Sequence, residues 1–199
     1  EPVRTVKAWS VSGPYLSTEP GVQRVDGRQV SAKQALALFG SLVAEKAPRS
    51  AGKGSRVSIR DLADASAKPT TVRLSKGPLY GNVYLWGDWV GSSEWSEKGE
   101  RQAVLRNYRT GATRRHDGTL WQLGDGFAVL DLNSELAVWN VGTDEVIRLG
   151  TPFEPWAVAT WGDLLVYTTQ AVMVVRRVPG VGTSQPRLLG AATSGDATP

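Results

Sequence analysis

Apolar residues along this chain come in short runs, each interrupted by a turn residue and followed by a segment in which apolar and polar positions alternate. Four stretches share one order: an apolar run, a Gly-centred turn, a second apolar run, then an alternating segment. They read ALALFGSLVAEKA, VYLWGDWVGSSEW, LWQLGDGFAVLDL and AVATWGDLLVYTT. Their turn glycines, Gly40, Gly87, Gly124 and Gly162, stand 47, 37 and 38 residues apart. A period in this range signals a repeat architecture, in which each unit buries its apolar face only against its neighbours.

The last unit shows the element order most plainly. PWAVATW predicts a strand, Gly162-Asp163 a two-residue turn, and LLVYTT a second strand. Glycine at the first central position is what a type II′ hairpin requires, because φ is positive there. AVMVVRRV predicts a third strand, and PRLLG, after a Pro/Gly loop, a fourth. Four antiparallel strands in so short a span make one propeller blade. NVYLW, WVGSS, RQAVLRNY and ATRRH fill the same places in the second unit, as do LWQL, FAVLDL, ELAVWNV and EVIRL in the third. In the first unit RVSIRDL and TTVRL supply the later strands. SAKQALALFGSLVAEKA is rich in helix formers, but its Gly-Ser turn and position favour strands. The expectation is an all-β propeller of about four four-stranded antiparallel blades, over 33–77, 79–118, 119–150 and 155–190, forming part of a larger ring of about six to eight blades. Residues 1–32 are expected to be lead-in strands or part of a preceding blade, and 191–199 a linker.

With 41% apolar and 21% charged residues in 199, the chain has the composition of a globular domain rather than a disordered one. No run approaches the ~18 apolar residues of a membrane-crossing helix. There is no cysteine, which excludes disulfides, thiol nucleophiles and thiolate metal sites. The net charge of +4 raises the question of nucleic acid, yet Arg106, Arg109, Arg114, Arg115, Arg148, Arg176, Arg177 and Arg187 are scattered over several strands and turns. A solvated face is the better reading, and nucleic acid is disfavoured. The chain begins at Glu1, so it is expected to be a processed or excised piece.

The apolar–Gly-Asp–apolar hairpins, with the run from Val104 to Tyr108-Arg109-Thr110-Gly111, resemble the WD-repeat-like propellers of exported bacterial proteins, particularly those of high-GC Gram-positive type. The resemblance covers roughly residues 33–190. It implies an extracellular or cell-surface module with adjoining domains in the same chain, acting as a scaffold or binder. The Trp-Asp pair of WD repeats is replaced by Val138-Trp139-Asn140 in one unit and by Arg106-Asn107-Tyr108 in another. The residues that flank the Thr-Gly turn in quinone-cofactor propellers are absent too, so no cofactor is implied.

In a propeller the first-to-second and third-to-fourth turns share one face, which places Asp88, Asp125 and Asp163 there as turn-capping residues. The opposite face carries the variable loops: inserts at 46–55 and 92–101, and blade links at 75–81 and 150–156. Binding surfaces on rigid scaffolds usually lie in such loops. Trp95, amid Glu94, Glu97, Lys98 and Arg101, is a candidate to stack on a sugar or anchor a protein. Lys53 in the first insert and Phe153 and Trp156 in the last link complete the tentative binding set. Trp86, Trp89, Trp121, Trp139 and Trp161 fall at strand positions and are expected in the core. Asp131, Asn133 and Glu135 are a weak metal candidate, lacking the glycine and distal glutamate of a calcium loop. The Lys-Gly insert is not a phosphate loop, since no helix follows it. His116 has no G-x-S-x-G partner with which to build a serine triad. The function expected is therefore a non-catalytic scaffold or binding module for a protein or glycan. The alternative is the propeller portion of a larger hydrolase or peptidase whose catalytic residues lie outside this chain.

Overall fold

The computed structural model describes residues 8–19, 21–47, 54–75, 80–152, 158–168 and 173–178. They form nineteen β-strands in five antiparallel sheets, each a simple meander in chain order. The first sheet holds β1 (Ala8–Ser12), β2 (Tyr15–Thr18), β3 (Gly21–Arg24) and β4 (Gln29–Ser31). The second holds β5 (Ala35–Phe39), β6 (Leu42–Lys46), β7 (Ser55–Asp61) and β8 (Thr70–Ser75). The third comprises β9 (Tyr80–Trp86), β10 (Trp89–Trp95), β11 (Arg101–Asn107) and β12 (Thr113–Asp117). β13 (Thr119–Leu123), β14 (Phe127–Asp131), β15 (Glu135–Asn140) and β16 (Val146–Pro152) make the fourth. The fifth has β17 (Val158–Trp161), β18 (Leu164–Thr168) and β19 (Met173–Arg177). The segment PRLLG, expected as a further strand, lies outside the described residues. So does the linker at 191–199.

First strands of consecutive sheets touch one another, β1 on β5, β5 on β9, β9 on β13 and β13 on β17. They line the inner side while later strands fan outward, which is the arrangement of a β-propeller. Among the described residues the substantial contacts run between consecutive sheets only. The expected four blades within a larger ring are corrected to five sheets, because residues 8–31 form a complete four-stranded blade. Its strands are only three to five residues long, too short for a visible apolar run, and its first hairpin turns on Gly13-Pro14 rather than on a Gly-Asp pair. The helix-forming composition of residues 33–47 is overridden by packing: β5 and β6 pair as a hairpin, with Phe39 opposite Leu42.

Four apolar clusters fill the four gaps between the five sheets. Tyr15, Val22 and Val43 join the first two. Ala44, Ile59, Leu74, Leu85 and Val90 are among those joining the second and third. Leu105, Leu120, Leu130 and Trp139 lie between the third and fourth, and Phe127, Val129, Leu136 and Leu165 between the fourth and fifth. Each such side chain contributes about 1.5–3 kcal/mol by leaving water, so the interior sheets are held from both sides. Polar ties supplement the packing. The buried Glu45 carboxylate accepts from the Ser31 hydroxyl at 2.5 Å and from Arg60 at 2.9 Å, linking the first two sheets.

One main-chain device recurs in all five sheets. The carbonyl of a residue in the first hairpin turn accepts a hydrogen bond from the amide just past the third strand. The pairs are Val25 to Pro14, Leu62 to Ser41, Tyr108 to Asp88, Val141 to Gly126 and Val178 to Asp163, at 2.8–2.9 Å. Gly13, Gly40, Gly87 and Gly162 have φ of 52–58°, as a type II′ turn demands. Gly124 does not share this role. The fourth hairpin is wider, Leu123 pairing with Ala128, and Gly126 takes the positive φ. A Cβ on Gly124 would run into the Phe127 ring, so Gly124 is a packing glycine.

Candidate functional site

The strand directions place the second-to-third loops and the blade links at one end of the sheets, as the sequence led us to expect. At that end, between the third and fourth sheets, lies a cleft of about 230 Å³. β9 contributes Gly81, Asn82 and Tyr84, β10 contributes Ser93, Glu94 and Trp95, β11 opens with Arg101, and β13 adds Thr119, Leu120 and Trp121.

Irregular strand pairing shapes this cleft. Between the pairs Gly91–Tyr84 and Ser93–Tyr80, three residues of β9 (Gly81, Asn82 and Val83) oppose Ser92 alone. Gly81 makes the bend possible with φ of 84°. Across the junction Trp121 is the extra residue of β13, between Leu120–Leu130 and Gln122–Val129. A bulge bends its strand and re-aims side chains, and such bulges gather beside binding sites. Here both bulged strands supply the cleft wall. The Ser93 hydroxyl accepts from the Leu120 amide at 2.9 Å and pins the two sheets together beneath it. Gly91 lies deeper in the same seam, with Leu120 and Leu105 in the space a side chain would need.

Three aromatic side chains give the cleft its apolar surface. Trp95 is 49% exposed at the end of β10, whereas Tyr84 and Trp121 are half-buried. Burial pushes the Tyr84 hydroxyl above its ordinary value, partly offset by a long hydrogen bond from Asn82. The charges are unevenly compensated. Glu94 pairs with Arg106 at 2.6 Å, both largely buried. Arg101 lies 5.3 Å from the Trp95 ring centroid, and among the described residues no carboxylate pairs with it.

Trp95, Glu94 and Arg101 of the expected binding set are thus brought together. Glu97 and Lys98 are exposed in the turn at 96–100 and do not line the cleft. Lys53, Phe153 and Trp156 lie outside the described residues. Half of the supposed insert at 92–101 is strand, since β10 runs to Trp95 and β11 starts at Arg101 in register with it. Trp121, expected in the core, belongs to the cleft, and Trp161, also expected there, is 65% exposed. Trp139 is fully buried as expected, donating from its indole to Asp144 at 2.9 Å.

The remaining candidate residues are engaged by the protein itself. Asp131 accepts from the Ser134 amide at 2.7 Å, and Asn133 and Ser134 form a tight turn with φ of 58° and 66°. Glu135 pairs with Arg148 at 2.5 Å and accepts from the Gly150 amide. Among the described residues no group of three histidine or carboxylate side chains is arranged to hold a metal. Asp88 and Asp163 pair with Arg109 and Arg177 rather than capping their own turns. No helix among the described residues is long and apolar enough to cross a membrane.

Comparison with protein-family models and with curated proteins returned no match.

Proposed function

We propose that this propeller is a binding module that holds a protein or glycan in the cleft between its third and fourth blades, working outside the cell within a larger exported protein. The observation that carries this reading is the cleft itself. Two bulged strands and a hairpin end converge three aromatic side chains and several polar groups at the loop end of a rigid stack. Concave, mostly apolar sites with a few convergent polar groups are where ligands bind. Holding is favoured over transforming because Glu94 is the sole carboxylate among the described lining residues and its charge is engaged by Arg106. Glycoside cleavage, for example, needs two carboxyl groups flanking the bond. The exported setting rests on the resemblance of the blade pattern alone.

The test is a glycan and peptide array probed with the wild-type chain and with Trp95→Ala. Ligands retained by the wild type and lost by the variant, with circular dichroism unchanged, support the reading. Hits equally strong in both place the binding surface elsewhere and overturn it.

A further inference from the structure

The balance of charge in the cleft narrows the ligand further, on the premise that the cleft is the binding site. We propose that it receives an acidic sugar residue, its ring against the aromatic wall and its carboxylate on Arg101.

Size is the first argument. At about 230 Å³ the cleft is smaller than the ~300–1,000 Å³ that encloses a drug-sized ligand. One six-membered ring and its substituents suit that space, with the rest of a chain left outside. The wall chemistry comes next. A pyranose has C–H faces and a rim of hydroxyls, so it needs flat apolar surface beside hydrogen-bonding groups. Trp95, Tyr84 and Trp121 supply the first. Asn82, Thr119 and the Tyr84 hydroxyl supply the second. Aromatic residues with polar tips suit a ligand that is apolar on its faces and wet at its edge.

Charge decides between neutral and acidic sugars. Of the two charged residues in the described lining, Glu94 is neutralised by Arg106. Arg101 is exposed, and its only described charge-related contact is with the Trp95 ring. The described lining therefore presents a net positive charge. A guanidinium lying over an indole keeps its N–H edge available, and that edge matches a carboxylate with two parallel hydrogen bonds. The same stack limits the motion of Arg101, so less freedom is lost when the anion arrives. A phosphate is a poorer fit, because among the described residues one cation faces it and neither a helix end nor a glycine-rich loop adds amide donors.

Calorimetric titration with a hexuronate-containing oligosaccharide, and with the same oligosaccharide after its carboxyls are reduced to alcohols, tests this directly. The acidic form is expected to bind about ten- to a hundredfold more tightly than the reduced form, the gain of a charge-assisted hydrogen-bond pair. Arg101→Gln is expected to abolish that preference. Equal binding of both forms, or a preference that survives Arg101→Gln, overturns the acidic-sugar assignment. So does binding confined to an acidic peptide, or no binding of either sugar. If any bound ligand is lost on Trp95→Ala, the cleft still stands as the binding site. Arg101 is exposed at a strand end, and native circular dichroism of its variant keeps the comparison free of folding effects.

Discussion

In the fourth sheet Phe127, Val129, Leu136 and Val138 pack toward the fifth sheet, while Leu130, Ala137 and Trp139 pack toward the third. All are buried. In the fifth sheet Leu165 and Tyr167 pack against the fourth, but Trp161, Met173 and Val175 are 61–70% exposed. Both sheets carry nearly continuous apolar runs, FAVLDL and ELAVWNV in one, LLVYTT and AVMVVRRV in the other. A run apolar at every position suits a strand covered on both sides. The fifth sheet thus has the sequence of an interior blade and, among the described residues, the surroundings of an end blade. Apolar pattern reports what a strand is fit to touch, and neighbours decide whether it does.

Substitutions on the two sheets should separate fitness from contact. Trp139→Ala is expected to cost about 3–5 kcal/mol in urea unfolding, as for other large-to-small changes in a core. Met173→Ala and Val175→Ala should stay within about 0.5 kcal/mol, as exposed positions do. A cost above ~2 kcal/mol at Met173 or Val175 would mean that their face is covered in the folded protein, and the contrast would dissolve.

A second pair of variants probes how full each place is. Gly91→Ala would set a Cβ 2.5 Å from Leu120 and 2.8 Å from Leu105, overpacking the third–fourth seam at about 1–3 kcal/mol. Gly162→Ala, on the fifth sheet, meets no atom within 4 Å and should lose about 1–2 kcal/mol through its positive φ alone. Thermodynamic coupling distinguishes them. The cost of Gly91→Ala should shrink in a Leu120→Ala background, and that of Gly162→Ala should not change with Leu164→Ala.

The smallest effect belongs to the margin of the covered seam, at Tyr84. Burial raises its hydroxyl above 10.0 in the folded chain. Below pH 10 both folded and unfolded chains keep the proton, so its contribution is fully present. Above that the unfolded chain ionises first, and stability falls as pH rises through the folded value. Unfolding followed from pH 9 to 11 should therefore show a gentler alkaline loss in Tyr84→Phe. An unchanged slope would show that Tyr84 is as wet folded as unfolded.

Blades were legible wherever a glycine separated two apolar runs, although the fourth hairpin takes its positive φ at Gly126 and not at the expected Gly124. The first blade was legible only as lead-in strands or part of a preceding blade, because β2 and β3 have four residues each and no such contrast. Trp95, Glu94 and Arg101 were legible as a cluster because they are near in sequence. Asn82, Tyr84, Thr119 and Trp121 were not, since strand pairing brings the first two there and the stacking of one sheet on the next brings the other two. The bulge at Trp121 has no signature in composition; it reverses the side that strict alternation would assign. Gly81 was the one available hint, a glycine at the head of an apolar strand.

The amide-to-carbonyl tie between the end of each third strand and the first hairpin turn has a consequence for how such a chain can change over time. It engages no side chain, so Val25, Leu62, Tyr108, Val141 and Val178 serve it equally well. Mutation can therefore scramble the wording of one blade relative to the next without loosening the joint. As far as the tie itself is concerned, only proline, which lacks the amide hydrogen, is barred from those five places. A repeat fastened in this way is free to lose its visible likeness long before it loses its shape.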